Sequence, residues 1–109
     1  MTDGAKILEK DKVLDIFVRE LRKALGSRLK KVILYGSRAR GDDSSDSDYD
    51  ILAIVDEVTK DIDALIDEVA GEILYEHSAV FSVIPMNEER FDKDYDPFLM
   101  NVHREGIVL

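Results

Sequence analysis

Two short apolar runs on either side of a polar segment constrain the fold of this chain more than any other feature. The run at residues 31–36 reads KVILYG and the run at residues 49–55 reads YDILAIV, so both are rich in β-branched and aliphatic side chains. Such runs favour β-strands that are covered on both faces or lie centrally in a sheet. The segment between them is rich in Gly, Ser, Asp and Arg, which predicts a loop or a short helix followed by a loop.

Helical periodicity flanks these two strands. Apolar side chains recur at helical spacing within residues 7–25, a segment that Gly26 can end. They are Leu14, Phe17, Val18, Leu21 and Leu25. A second helix follows Thr59, which can cap it, and apolar residues keep the same spacing from 62 to 74. Each helix therefore has one apolar face with which to cover a sheet.

The C-terminal third continues the same alternation of elements. In order, it predicts a third strand at 79–86, a loop or irregular helix at 87–96, a short helix that Asp96 and Pro97 begin and Gly106 closes, and a terminal strand or exposed tip at 107–109. The order α-β-loop-β-α-β-α predicts an α/β (α+β) fold in one layered domain that spans residues 1–109.

The composition excludes several classes of function. With 15 Lys and Arg against 24 Asp and Glu the net charge is −9, so the chain as a whole does not attract nucleic acid or an anionic membrane. The absence of cysteine excludes disulfides, thiolate-metal sites and cysteine nucleophiles. No apolar run approaches the roughly 18–20 residues of a membrane span. We therefore expect a small cytoplasmic domain with no membrane or nucleic-acid partner.

Two familiar motifs fail in the polar segment. The glycine spacing of a P-loop is met, but two aspartates follow where a lysine and a hydroxyl residue are required to neutralise and coordinate phosphate. An EF-hand calcium loop would run from Asp46 to Glu57, but Ile51 stands at its sixth position, where the sharp turn needs glycine. Neither a P-loop nor an EF-hand therefore explains this segment.

A site for a divalent cation fits the spacing better. Asp48 and Asp50 are two residues apart at the start of a strand, so their side chains point to the same face. Two carboxylates this close repel each other unless they are solvated, and Mg²⁺ or Mn²⁺ with oxygen ligands can compensate them. Each aspartate alone fits a solvated acidic loop, whereas the combination of strand, Gly-Ser, loop and Asp-x-Asp favours a site.

The residues before this pair form a candidate phosphate-binding segment. Gly36 allows the backbone to approach a ligand closely, and Ser37 offers a hydroxyl and a backbone N–H to a phosphate. Arg38 and Arg40 add the positive charge. We therefore predict that these four residues bind a nucleotide.

These residues resemble the signature of the nucleotidyltransferase superfamily, in which Gly-Ser is followed after ten residues by Asp-x-Asp. The fuller run GSRARG…SDSDYDILAIV is similar to the minimal nucleotidyltransferase (MNT) branch, and the resemblance extends over the whole chain. It implies a polymerase-β-like palm, a small mixed sheet flanked by helices. It also implies transfer of a nucleoside monophosphate, AMP from ATP, with Mg²⁺ or Mn²⁺ bound by the catalytic residues Asp48 and Asp50. Small members of this branch are often antitoxins that attach AMP to a tyrosine of a HEPN-domain ribonuclease, so the resemblance implies a HEPN-type partner.

The resemblance breaks at one position. Superfamily catalysis normally uses a third carboxylate on a neighbouring strand. The strand predicted at 79–86 contains no Asp or Glu, and Ser82 is its only polar residue. Glu88 and Glu89 follow it, but they can replace the acid only if the chain turns back toward Asp48. Which of these three residues takes that place is left open by the sequence.

Two functions remain in competition. The first is an enzyme that transfers AMP to a macromolecule, because 109 residues leave no room for an acceptor-binding domain and a partner protein or a second copy must complete the cleft. The second is a catalytically weak or inactive module that neutralises its partner by binding. His77 and His103 each stand alone in the sequence, so we expect structural or surface roles for them.

Overall fold

The computed structural model describes residues 2–93 and 96–109. Its strands are β1 (Thr2–Asp3), β2 (Leu29–Tyr35), β3 (Tyr49–Val55), β4 (Phe81–Asn87) and β5 (Ile107–Val108). Its helices are α1 (Ala5–Lys10), α2 (Lys12–Leu25), α3 (Ser37–Arg40), α4 (Lys60–His77), α5 (Glu88–Lys93) and α6 (Pro97–Glu105), with a 3₁₀ turn, Gly26–Arg28, before β2. In the part of the chain that the structure describes, none of the helices combines the length and the apolar character of a transmembrane span.

The described strands form one mixed sheet in the order β1-β5-β2-β3-β4. Strands β2 and β3 are antiparallel, with Tyr35 opposite Asp50. Strand β4 runs parallel to β3 and places Ser82 beside Asp50. The start of β3, the start of β4 and the end of β2 therefore meet at one end of the sheet. The predicted small mixed sheet flanked by helices is confirmed.

Side chains of the sheet alternate between two apolar cores. On one face Ile51 packs in a cluster with Phe17 and other residues of α2 and α4. On the other face Leu52 packs in a cluster with Phe91 of α5 and with residues of α6. Residues 51–55 are consequently fully buried. Coverage on both faces explains why this strand reads as continuously apolar in the sequence.

The prediction of one continuous helix over residues 7–25 is wrong. The backbone at Asp11 is extended and separates α1 from α2, and the Asp11 carboxylate accepts a hydrogen bond from the N–H of Leu14 at 3.0 Å. Asp11 is thus the N-cap of α2, and this local cap overrides the apolar periodicity that runs through it.

A second difference concerns residues 87–96, which we expected to be a loop or an irregular helix. The structure has the regular helix α5 there, and the side chain of Asn87 accepts a hydrogen bond from the N–H of Arg90 at 2.7 Å. Residues 94–95 of the expected segment lie outside the described residues. The predicted cap of α6 is confirmed, because Asp96 accepts a hydrogen bond from the N–H of Leu99 at 2.8 Å.

Candidate active site

The two aspartates of the motif lie at the start of β3. Asp48 is exposed and Asp50 is half-buried. Burial, followed by the negative charge of Asp48, raises the pKa of Asp50, while the positive charge of Arg40 lowers it. The charge of Asp48 therefore acts on Asp50, and Arg40 is close enough to Asp50 to influence it.

Gly36 is required at this end of the sheet for a steric reason. Its φ is +77°, a conformation that L side chains rarely adopt, and a Cβ at this position would collide with the carboxylate Oδ2 of Asp50. The glycine thus lets the chain pass directly beside Asp50. The next residue, Ser37, begins α3, whose first N–H groups have no intrahelical acceptor.

Arg38 and Arg40 differ in what they contact, although both belong to α3. The guanidinium of Arg38 donates to the carbonyl of Ser47 from Nε at 2.9 Å and from Nη2 at 2.7 Å. It also pairs with Asp43 at 3.4 Å, and the Arg38 side chain is only 15% exposed. These contacts engage Nε and Nη2 fully and Nη1 at a longer distance, so they compete with the nucleotide contact that we predicted for Arg38.

Arg40 remains in contact with solvent. It pairs with Asp42 at 3.1 Å and with Glu105 at 3.4 Å, and its side chain is 44% exposed. Such exposed ion pairs contribute little to stability, so a ligand can replace them at low cost. Arg40 is therefore the arginine of α3 that is available to an anionic ligand.

Tyr49 lies between the two aspartates in sequence, but its side chain faces away from them. It is buried, its ring stacks on Phe81 at 4.3 Å between centroids, and its hydroxyl donates to Asp11 at 2.7 Å. Burial, followed by the hydrogen bond to Asp11, raises the pKa of Tyr49 to about 12. Tyr49 is thus a packing residue of β3.

The register of β4 separates the three residues that the sequence left open for the third carboxylate. Ser82 is exposed and lies in register with Asp50. Glu88 and Glu89 follow Asn87, which pairs with Val55 at the opposite end of β3, about 16 Å along the strand from Ser82 at the usual rise per residue. Neither glutamate therefore lies beside Asp50, and the chain does not turn back toward Asp48 as such a replacement would require. Among the described residues no group of three His, Asp or Glu could hold a metal ion.

The two histidines occupy different settings. His103 stacks on Phe91 at 4.3 Å, and its Nε2 lies 3.0 Å from the carbonyl oxygen of Phe91, which is the expected structural role. His77 ends α4 and lines a cleft of about 280 Å³ beside Asp48, together with Ser78 and Val80. We did not predict this cleft from the sequence. It arises because β4 runs parallel to β3, a long-range pairing that apolar periodicity does not encode.

Comparisons with known proteins agree with this geometry. Residues 14–108 match the family described as the nucleotidyltransferase domain. A relative named as a protein adenylyltransferase, MJ0604 of Methanocaldococcus jannaschii, is 38% identical over 103 residues, which cover 94% of this chain and 99% of that protein.

Solved structures share the fold at low sequence identity. A crystal structure of a toxin-antitoxin with AMP-PNP has a TM-score of 0.61 at 15% identity and covers 84% of this chain and 68% of that chain. A structure of a tri-AMPylated Shewanella oneidensis HEPN toxin in complex with its MNT antitoxin has a TM-score of 0.58 at 14% identity and covers 87% and 66%. Together with the Gly-Ser and Asp-x-Asp residues at one end of the sheet, these findings show that the chain belongs to the nucleotidyltransferase domain family and is a nucleotidyltransferase.

Proposed function

We propose that this chain transfers AMP from ATP to a tyrosine hydroxyl of a HEPN-type partner protein, as the antitoxin of a toxin-antitoxin pair. The observation that carries the proposal is the pair Asp48 and Asp50 beside Gly36 in a chain that is 38% identical to a protein named as an adenylyltransferase. Neighbours in fold include MNT antitoxins, one of them in complex with an AMPylated HEPN toxin.

The donor set of the site fits a divalent cation. Burial and then the negative charge of Asp48 raise the pKa of Asp50, so a cation held by both carboxylates would relieve their repulsion. Mg²⁺ is commonly bound by one or two carboxylates with phosphate oxygens of the substrate and water as its other ligands. When bound, Mg²⁺ or Mn²⁺ would offset the negative charge of the triphosphate.

The phosphates of ATP lie, in this proposal, against Gly36, Ser37 and Arg40. Gly36 has no side chain to obstruct them, Ser37 supplies hydroxyl and N–H donors, and Arg40 is exposed close to Asp50. The tyrosine oxygen attacks the α-phosphorus, the bond between that phosphorus and the oxygen bridging to the β-phosphate breaks, and pyrophosphate leaves. The phenolic proton passes to solvent.

A tyrosine suits this site as acceptor because Ser82 stands where a third carboxylate would assist. A phenol has a pKa near 10 and loses its proton far more readily than an aliphatic hydroxyl. General-base catalysis contributes typically 10²–10⁴-fold, so a site without that acid is slower but still competent. We therefore expect slow modification of a phenolic hydroxyl.

Covalent labelling of the partner tests this function. The partner that co-purifies with the chain is incubated with Mg²⁺ and with ATP radiolabelled at the α-phosphate, in the presence of wild type or of Asp48→Asn. We expect label on a partner tyrosine with wild type only. Absence of label with wild type contradicts transfer.

A second candidate function is neutralisation of the partner by binding alone, and the serine at position 82 favours it. In that case Asp48→Asn should suppress the partner's toxicity as well as wild type does. If Asp48→Asn binds the partner with wild-type affinity but no longer suppresses it, transfer and not binding is the antitoxic event.

A further inference from the structure

We infer that Arg38 is a positioning residue that holds the backbone on both sides of Asp48 and so sets the affinity of the site for its metal ion. The inference rests on the proposed function in one respect, the assignment of Asp48 as a metal ligand. It gives Arg38 a role different from the nucleotide contact expected from the sequence.

One side chain contacts both neighbours of Asp48. The guanidinium of Arg38 donates two hydrogen bonds to the carbonyl of Ser47, at 2.9 and 2.7 Å. The same group lies over the ring of Tyr49, with 3.9 Å between its Cζ and the ring centroid. Asp48 itself is exposed, so its place depends on these two flanking residues.

Tyr49 gives Arg38 a rigid surface on which to pack. Its ring stacks on Phe81 at 4.3 Å, and Phe81 stacks on Phe17 of α2 at 4.0 Å. Its hydroxyl donates to Asp11, the N-cap of α2, at 2.7 Å. The guanidinium is therefore the outermost layer of a stack that reaches from α2 through β4 and β3 to the surface.

The loop before Asp48 needs such an attachment. Residues 41–46 are all exposed. Ser44 and Ser47 form a small turn, in which the N–H of Ser47 donates to the Ser44 carbonyl at 3.1 Å. Arg38 fastens this turn to α3 through Ser47 and through its ion pair with Asp43 at 3.4 Å. Arg38 thus connects the segment that begins at Gly36 with the loop that ends at Asp48.

Replacement of Arg38 by lysine separates positioning from phosphate binding. Lysine keeps the positive charge, but it lacks the planar fork that bonds one carbonyl twice while stacking on a ring. Loss of groups that orient metal ligands typically lowers metal affinity 10–100-fold. We expect Arg38→Lys to weaken Mn²⁺ binding in the presence of ATP at least about tenfold. ATP binding in EDTA should change by less than about twofold.

The comparison variant is Arg40→Gln, because Arg40 belongs to the same short helix and is exposed. Calorimetry on the whole chain should give for Arg40→Gln the opposite of the Arg38→Lys pattern. We expect ATP binding in EDTA to be weaker than in wild type, and the loss of Mn²⁺ affinity to be smaller than in Arg38→Lys. If Arg38→Lys lowers ATP affinity in EDTA as much as Arg40→Gln does, Arg38 contacts phosphate and the positioning role is overturned.

A second measurement does not depend on any metal. Backbone ¹⁵N relaxation should give the amide of Asp48 an order parameter of about 0.85 in wild type and below about 0.6 in Arg38→Lys. Amides of β3 beyond Asp50 serve as the internal control and should keep their values. An unchanged order parameter at Asp48 overturns the inference, as does a mobile Asp48 with wild-type Mn²⁺ affinity. If wild type binds no Mn²⁺ with ATP, the proposed function fails, while the order parameters still test how Asp48 is held.

Discussion

The two ends of β3 have the same backbone pairing but opposite properties. At the C-terminal end of β3, which is the end far from the candidate site, Ile54 lies between Lys31 and Met86 and is fully buried under α5 and α6. At the near end Asp50 lies between Tyr35 and Ser82, and Ser82 is exposed. The pairing therefore does not distinguish core from site. The helices that cover one end and leave the other open make the difference, so changes at the two ends should separate stability from activity.

The largest expected effect is on transfer by Asp48→Asn. Loss of one of the two carboxylates proposed to hold the metal should reduce the rate by at least about 100-fold, because metal charge stabilisation amounts to several kcal/mol. The free energy of unfolding should not fall, since Asp48 is exposed and its charge acts unfavourably on Asp50. Labelling rates and urea unfolding measure the two quantities.

The matched control lies at the far end of the same strand. Ile54→Val should lower the free energy of unfolding by about 0.5–1.5 kcal/mol and leave the transfer rate of the folded protein within about twofold of wild type. A large loss of transfer in Ile54→Val would mean that the two ends of β3 are not independent.

The next effect concerns the position beside Asp50. Ser82→Asp adds a carboxylate in register with Asp50 and should accelerate transfer, by up to roughly 100-fold if it acts as a general base. Affinity for ATP should stay within about tenfold, since the proposed phosphate contacts are with Gly36, Ser37 and Arg40. Glu88→Gln is the control, because Glu88 follows the far end of β4. If Ser82→Asp does not accelerate transfer while Glu88→Gln abolishes it, the conclusion that position 82 and not Glu88 lies beside the reacting groups is contradicted.

Two glycines with similar backbone conformations test whether the steric contact with Asp50 matters for stability. Gly36 and Gly41 have similar φ values, +77° and +81°, but a Cβ at Gly41 meets nothing within 4 Å whereas one at Gly36 collides with Asp50. Gly41→Ala should cost about 1–2 kcal/mol of unfolding free energy from backbone conformation alone. Gly36→Ala should cost more, and the excess should shrink in an Asp50→Ala background. Equal costs would show that the contact with Asp50 is without consequence.

The smallest expected effect is on pH dependence. The pKa of Asp50 is raised above its ordinary 3.8, so the folded state holds this proton more tightly than the unfolded state. The free energy of unfolding therefore falls as the pH rises from about 3.8 through the folded pKa, and then levels off. Asp48→Asn removes the repelling charge, so it should lower the pKa of Asp50 and reduce this fall. An NMR titration of the Asp50 carboxyl in wild type and in Asp48→Asn checks this, and the same pKa in both proteins would contradict the proximity of the two acids.

Short sequence patterns predicted those strands and helix caps that are determined by residues close together in the sequence. The strand at 49–55 and the cap at Asp96 were predictable because apolar runs and capping residues act over a few positions. The break at Asp11 was not, because apolar residues recur at helical spacing on both sides of it, and an aspartate can lie within a helix as well as cap one.

The site was predictable in its composition but not in its connections. Gly36, Asp48 and Asp50 follow from motif spacing. The position of Ser82 beside Asp50 depends on the register of β4, which is a long-range pairing. The contact of Arg38 with Ser47 depends on how the loop folds back, which residue types alone do not specify.

The central claim is that the open end of β3 binds a metal ion and a nucleotide. Titration with Mn²⁺ tests this claim most directly. Wild type and the double variant Asp48→Asn/Asp50→Asn are each titrated with and without a non-hydrolysable ATP analogue. We predict weak binding to wild type alone, tighter binding when the triphosphate completes the coordination shell, and loss of this enhancement in the double variant. Equal Mn²⁺ binding by the two proteins in the presence of the analogue would contradict the assignment of the site.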